Sequence, residues 1–226
     1  MTSQPISRSD RDLIARLASY SAATIHEAQG RAGALDSDIK PIDAAMELCG
    51  PAFTVVCAPR DNLMLQVAIS YAAPGDVIVV SASDYAEAGS FGDVLANAAQ
   101  SRGIAGLVTD TGVRDSRDIV ALGFPVFSKS VSIKGTVKET IGALNEPVVV
   151  GGQLIRPGDL VKGDADGVVV VRRADLAFAV ESSEERVRSE RDLIARYRSG
   201  MTPIEVSNLT EVLAGKGFDS PAATSS

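Results

Sequence analysis

A chain of 226 residues, 45% hydrophobic and 23% charged, is long enough for one sizeable core and has the balance of an ordinary globular protein. Its formal net charge of −7, with no run of Lys or Arg, argues against a nucleic-acid-binding face, so an anionic ligand would need individually placed arginines. Cys49 and Cys57 lack metal-ligand spacing and His26 is the single histidine, which argues against a disulfide framework and a His/Cys zinc site and fits a reducing cytoplasm.

Met1-Thr2-Ser3-Gln4-Pro5 has neither a basic start nor an apolar run, so no signal peptide is expected. No apolar stretch approaches the roughly 20 residues that span a membrane. Ser9-Asp10 predicts the start of a helix running to about Ala18, with Leu13, Ile14 and Leu17 at helical spacing. Ser21 predicts the cap of a second helix carrying Ile25, His26, Glu27 and Gln29 and ending at Gly30 or Gly33. Gly50 to Ala58 reads as a strand, and Asp61-Asn62 opens a helix through Leu65, Val67, Ala68 and Ile69. After the turn Pro74-Gly75-Asp76, the apolar run Val77 to Val80 is a strand buried on both faces.

A helix from Val94 to Ser101, a buried strand from Ile104 to Asp110, a helix from Asp115 to Leu122 and a short strand from Phe124 to Phe127 come next. From Gly135 to Val171 the chain is predicted β-rich, with Gly151-Gly152 in a hairpin turn and a second Pro-Gly-Asp turn at Pro157-Gly158-Asp159. A charged helix from about Asp175 to Arg198 stops at Gly200, and Thr202-Pro203 starts a last helix ending at Gly215 or Gly217. The expectation is one α/β domain over residues 1–217, with an N-terminal helical arm and a long C-terminal helix. Residues 218–226 are expected to form a disordered tail.

The densest chemistry lies in Gly92-Asp93-Val94-Leu95 and Arg114-Asp115. Twenty residues separate Asp93 from Arg114, and the helix and strand between them return the chain to where it started. Asp93 and the Arg114-Asp115 pair can therefore share a pocket at the end of an α/β unit. The free N–H groups of Gly92 to Leu95 and the helix dipole favour an anion such as the carboxylate of a 2-oxo acid. Arg114 can hold that carboxylate or stabilise an enolate, and Asp115 can bind Mg²⁺ or Mn²⁺. Each element alone has a plainer explanation: a helix cap at Asp93 or Asp115, a surface ion pair at Arg114. Asp110 is a rival metal ligand, although turn hydrogen bonding suits it better. His26 reads as a helix residue bonding a neighbour, Cys57 as inert core, and Lys134 and Lys138 as exposed or in contact with a substrate carboxylate rather than Schiff-base formers.

The segment FGDVLANAAQSRGIAGLVTDTGVRDSRDIVALGFPVF closely resembles the divalent-metal-dependent pyruvate aldolases that cleave 4-hydroxy-4-methyl-2-oxoglutarate and 4-carboxy-4-hydroxy-2-oxoadipate, a family sharing its fold with the RraA regulators of ribonuclease E activity. The resemblance extends through ATIHEAQGRAG, APRDNLMLQVA, PGDVIVVS, GTVKETIG and LIRPGDLVKGDADGVVVV, covering roughly Ile25 to Gly200.

The resemblance implies an RraA-like swivelling β/β/α domain assembled as a homotrimer or homohexamer. It implies Asp115 as metal ligand for Mg²⁺ or Mn²⁺, Arg114 as the residue orienting pyruvate, Asp93 as the acid holding metal-bound water, and Gly92 to Leu95 as the substrate-carboxylate amides. It also implies a glutamate from a neighbouring subunit, ten residues before a glycine. Glu190 stands ten residues before Gly200, with Glu184 and Glu185 as alternatives, and Glu27 matches a further acid near the pocket. Pyruvate and oxaloacetate are the implied small 2-oxo acid ligands, with aromatic-compound degradation as the implied setting. RraA regulators lack the aspartate after the arginine, so Asp115 favours catalysis over a purely regulatory protein. Met201-Thr202-Pro203-Ile204-Glu205-Val206 departs from the aldolase pattern, which leaves the aldol acceptor open. A methyltransferase reading finds no Gly-rich loop with a following acidic residue after an early strand.

Overall fold

The structure, a computed structural model, describes residues 8–218. The segment Met1 to Pro5 and most of the expected C-terminal tail lie outside the described residues. The elements run α1 (Arg8–Leu17), α2 (Ala22–Ala28), β1 (Lys40–Pro41), β2 (Leu48–Val56), α3 (Leu63–Tyr71), β3 (Val77–Ser81), α4 (Asp93–Ser101), β4 (Gly106–Val113), α5 (Ser116–Leu122) and β5 (Val126–Val131). They continue with β6 (Ala143–Leu144), β7 (Val148–Val150), β8 (Gln153–Ile155), β9 (Leu160–Asp164), β10 (Gly167–Val171), α6 (Leu176–Arg198), α7 (Pro203–Val206) and α8 (Leu209–Gly215). The chain divides into two compact units, Met1–Ser183 and Glu184–Ser226.

The first unit carries the sheet, ordered β1-β5-β4-β3-β2-β9-β10, with β6 also paired to β2. Strands β2, β3, β4 and β5 are mutually parallel, whereas β9 and β10 return antiparallel. The parallel strands are joined by α3, α4 and α5, and the middle strands β3 and β4, buried on both faces, read as continuous apolar runs. All 8 residues of β4 are buried. Beyond β10, Leu35 N–H donates to Val168 and Val170 N–H donates to Gly33 at 2.9 and 2.8 Å. That same segment then enters β1 on the far edge, so the sheet is nearly closed.

The main core fills the sheet and the helices flanking it, with Phe91, Phe124 and Phe127 among its largest side chains. A smaller cluster joins Leu17, Ala22 and Ile25 of the N-terminal helices to Leu160, Val169, Val171, Leu176 and Val180. In the second unit α7 opens on a capping box, where Thr202 Oγ1 and the Glu205 carboxylate satisfy each other's backbone N–H groups.

Several predicted boundaries shift for identifiable reasons. Strand β4 runs three residues past Asp110, because Thr111, Gly112 and Val113 continue the ladder to β5 across a register irregularity. The stretch from Gly135 to Gly142, the start of the region expected to be β-rich, contains no strand; its backbone groups go to side chains and loops elsewhere. The single last helix expected after Thr202 is instead α7 and α8, separated by Asn208 in the left-handed conformation.

Candidate active site

The local sequence explains how Asp93 meets Arg114-Asp115. The segment before α4 lies alongside the end of β4: Ser90 N–H donates to Gly112 at 2.9 Å, and Arg114 N–H donates back to Phe91 at 2.9 Å. Gly92 then caps α4 in an extended conformation and its carbonyl accepts the Ala96 N–H at 3.0 Å. This places the first turn of α4 directly over the residues that leave β4.

Asp115 makes the turn into α5 with φ 53°, the left-handed region that costs a non-glycine residue about 1–3 kcal/mol. Its carbonyl accepts the N–H groups of Asp118 and Ile119, both at 3.0 Å, which fixes the strained residue in place. Its carboxylate consequently turns toward α4, where Oδ2 lies 3.4 Å from the Asp93 N–H and 3.4 Å from Arg114 Nε. A Cβ on Gly92 would stand 2.3 Å from that same Oδ2, so a larger residue here would push the carboxylate out of this position. Gly89 plays a similar part beside Arg114, since a Cβ there would fall 2.3 Å from the Ser132 carbonyl.

Gly92, Asp93, Val94, Leu95, Arg114 and Asp115 line one cleft of about 300 Å³ together with Asn62, Gln66, Thr136 and Lys138. The Arg114 and Asp115 side chains are 48% and 34% exposed, so both are reachable by a small ligand. The opposite wall is held from below by Asp61, which is 3% exposed. Its carboxylate accepts from Leu63, Glu139 and Thr140 N–H groups at 2.9, 2.9 and 2.7 Å. Burial pushes the Asp61 carboxyl pKa up, but these donors more than offset it and leave the pKa lowered. Asn62 continues the wall, donating to the Ser90 carbonyl at 2.9 Å and accepting from Gln66 Nε2 at 3.0 Å.

Other sequence candidates lie elsewhere. Asp110 is buried in β4 and accepts from Ser81 Oγ, Ala82 N–H and Asp84 N–H at 3.2, 2.6 and 3.0 Å, so it stabilises a turn. His26 Nδ1 pairs with the Ala32 carbonyl at 2.9 Å, and Glu27 lies 3.2 Å from Arg31; neither lines the cleft. Cys57 is buried core, its thiol pushed up to about 12 chiefly by burial. Lys134 pairs with Glu87. Glu190 stands on α6 in the second unit, 3.0 Å from Arg186. Asn62 and Gln66 are cleft residues to which the sequence assigned no site, the nearest available sign being that Asp61-Asn62 starts a helix, whereas Lys138, read as exposed or in contact with a substrate carboxylate, does line the cleft.

Among the described residues no group of three or more His, Cys, Asp or Glu side chains gathers to hold a metal. Asp115 and Asp93 both line the cleft, and a magnesium-like ion needs only one or two carboxylates, completing its shell with water and ligand oxygens.

Fold and cleft together define an α/β protein with a small polar pocket at the C-terminal end of a parallel strand, beside a helix N-terminus. The RraA-like family, described as Aldolase/RraA, matches residues 20–170, and the chain belongs to it. A relative from Halalkalibacterium halodurans, provisionally named a 4-hydroxy-4-methyl-2-oxoglutarate aldolase, is 36% identical over 181 residues, covering 80% of this chain and 86% of its own. A crystal structure of an uncharacterised protein from Pseudomonas syringae pv. tomato superposes with a TM-score of 0.77 at 27% identity, covering 91% of this chain and 100% of that one. Streptomyces coelicolor RraAS2, described as an unusual member of the RNase ES inhibitor RraA family, gives a TM-score of 0.72 at 31% identity, covering 83% and 98%.

Proposed function

We propose that this protein is a divalent-metal-dependent class II aldolase that cleaves 4-hydroxy-2-oxo acids to pyruvate and a second oxo acid. 4-Hydroxy-4-methyl-2-oxoglutarate and 4-carboxy-4-hydroxy-2-oxoadipate are the reference substrates, and oxaloacetate decarboxylation is the companion activity. The observation that carries this reading is the Asp115 carboxylate held 3.4 Å from both Arg114 Nε and the Asp93 N–H inside one cleft. The aldolase name of a relative 36% identical to this chain supports it.

The free N–H groups of Val94 and Leu95 at the start of α4 receive the substrate carboxylate, helped by the helix dipole. Arg114 orients the 2-oxo group and stabilises negative charge as it develops on the C2 oxygen. Asp115 would hold Mg²⁺ or Mn²⁺ and Asp93 a water bound to it; the ion would supply Lewis-acid polarisation of the substrate oxygens and acidify water. A water molecule held by the Asp93 carboxylate takes the C4-hydroxyl proton and is the source of the proton later given to C3. The C3–C4 bond then breaks, C4 becomes the carbonyl of the second oxo acid, and the electron pair enters the pyruvate enolate, which is protonated at C3. Loss of CO₂ from oxaloacetate yields the same enolate.

In this reading Glu190 is supplied by a neighbouring subunit of a homotrimer or homohexamer and helps position the proton acceptor. The setting in this reading is cytoplasmic, which the two free cysteines support; among the described residues no helix is long and apolar enough to cross a membrane.

The test is pyruvate release, coupled to lactate dehydrogenase, from oxaloacetate and from 4-carboxy-4-hydroxy-2-oxoadipate, with Mg²⁺, with Mn²⁺ and with EDTA. Metal-dependent turnover is expected with both substrates. A folded oligomer that releases no pyruvate would transfer the assignment to a non-catalytic ribonuclease regulator; the Streptomyces coelicolor protein is described as an unusual member of an RNase ES inhibitor family.

A further inference from the structure

The cleft contains one cation that the proposed cleavage leaves unused. Lys129 lies 3.1 Å from Asp38 and 2.5 Å from Asp84, Lys162 lies 2.9 Å from Glu47, and Lys134 pairs with Glu87. Lys138 lines the cleft and, among the described residues, has no carboxylate partner. In a protein of net charge −7, an uncommitted ammonium facing a pocket is a binding resource.

Its backbone is also fixed, in a stretch without regular structure. Val137 N–H donates to Arg60 at 2.9 Å and its carbonyl accepts the Asn62 N–H at 3.1 Å. On the other side the Glu139 and Thr140 N–H groups are both held by Asp61 Oδ2, at 2.9 and 2.7 Å. A ligand that engages Lys138 therefore orders a side chain and not a loop, which lowers the entropic cost of binding. The cleft, at about 300 Å³, lies at the lower end of the roughly 300–1,000 Å³ typical of small-molecule sites, so it has room beyond a three-carbon acid.

Resting on the aldolase reading of this cleft, we infer that Lys138 binds the distal carboxylate of a 2-oxo acid whose first carboxylate sits on the start of α4. Lys138 thereby selects for 2-oxo acids bearing a second carboxylate. The N-terminal turn of α4 and Arg114 hold one end of such a ligand, and Lys138 the other.

The test is calorimetric binding, in Mg²⁺, of 2-oxoglutarate against 2-oxopentanoate, which differ only by carboxylate or methyl at C5. Wild type is expected to prefer 2-oxoglutarate by about tenfold, the effect of one charge-assisted hydrogen bond. Lys138→Met removes that preference and Lys138→Arg largely keeps it. No preference in wild type, or equal weakening of both ligands by Lys138→Met, overturns the assignment. Failure of the aldolase reading shows separately, as absent exchange of the pyruvate methyl protons by NMR in the wild-type protein.

Discussion

Asp115 joins strain, charge and position in a single residue. Its left-handed backbone is held by two helix N–H groups, so its carboxylate is aimed without needing a side-chain partner to orient it. Asp115→Ala and Arg114→Ala should each reduce pyruvate formation by about 10²–10³-fold, the scale of one preorganised electrostatic contact. Circular dichroism and thermal unfolding should remain near wild type, because both side chains are substantially exposed. Full activity of purified Asp115→Ala in Mn²⁺ would remove the metal-ligand assignment. Gly92→Ala separates geometry from chemistry. Gly92 has φ −137° and tolerates alanine in its backbone, yet the new Cβ would displace a carboxylate oxygen 2.3 Å away. Turnover should fall by about a hundredfold, the cost of roughly 1 Å of misplacement, while the unfolding temperature barely moves. Loss of stability without loss of turnover would contradict the close approach inferred here.

At the scale of elements, one buried carboxylate connects α3 to the irregular segment between β5 and β6. Asp61→Ala should cost about 1–3 kcal/mol by leaving buried N–H groups unsatisfied. Its pH dependence has a definite sign. The folded pKa lies below the ordinary 3.8, so Asp61 contributes its stability in full above that value and loses it as pH falls through the folded pKa. The gap in unfolding temperature between wild type and Asp61→Asn should therefore be wide near about pH 7 and narrow toward about pH 3. A gap that widens on acidification would refute the assignment. Asp110 runs the opposite way: burial raises its pKa more than its hydrogen bonds lower it, so its contribution is present at low pH and fades as pH rises through the folded value. The same elements show what was legible in the sequence. Strand β3 could be read from Val77 to Val80 because local composition and burial agree there. The convergence of Asp93 with Arg114-Asp115 was also readable, since a helix and a strand of known lengths lie between them. The conformation that puts Lys138 in the cleft was not, because GTVKETIG has strand-like composition and its conformation is set by Asp61, more than seventy residues earlier in the chain. The overrun of β4 to Val113 was hidden for a related reason: Thr111 and Gly112 look like turn residues, but pairing with β5 and with Gly89 keeps them in the sheet.

For the whole molecule, the question is whether one chain contains a complete site. Asp93, Arg114 and Asp115 lie within the first unit, whereas Glu190 belongs to the second. The surface also carries large exposed apolar side chains, Val94 at 72%, Ile133 at 92% and Ile141 at 77%, which water solvates poorly and a neighbouring copy would cover. Light scattering after size exclusion should show a trimer or hexamer; a monomer would remove the shared-site arrangement. Subunit mixing tests it further. If each site combines Asp115 of one subunit with Glu190 of the next, Asp115→Ala and Glu190→Ala proteins are each inactive alone. Reversibly dissociated and reassembled at equal concentrations, they form mixed rings in which some junctions pair the intact Asp115 with the intact Glu190. Random assembly puts both intact residues at about one junction in four, so about a quarter of wild-type activity should return in a closed cyclic oligomer. A Glu190→Ala protein with full activity would dismiss Glu190 and turn attention to Glu184 and Glu185. If both variants are inactive and no activity returns from a verified mixture of subunits, the two residues serve the same chain.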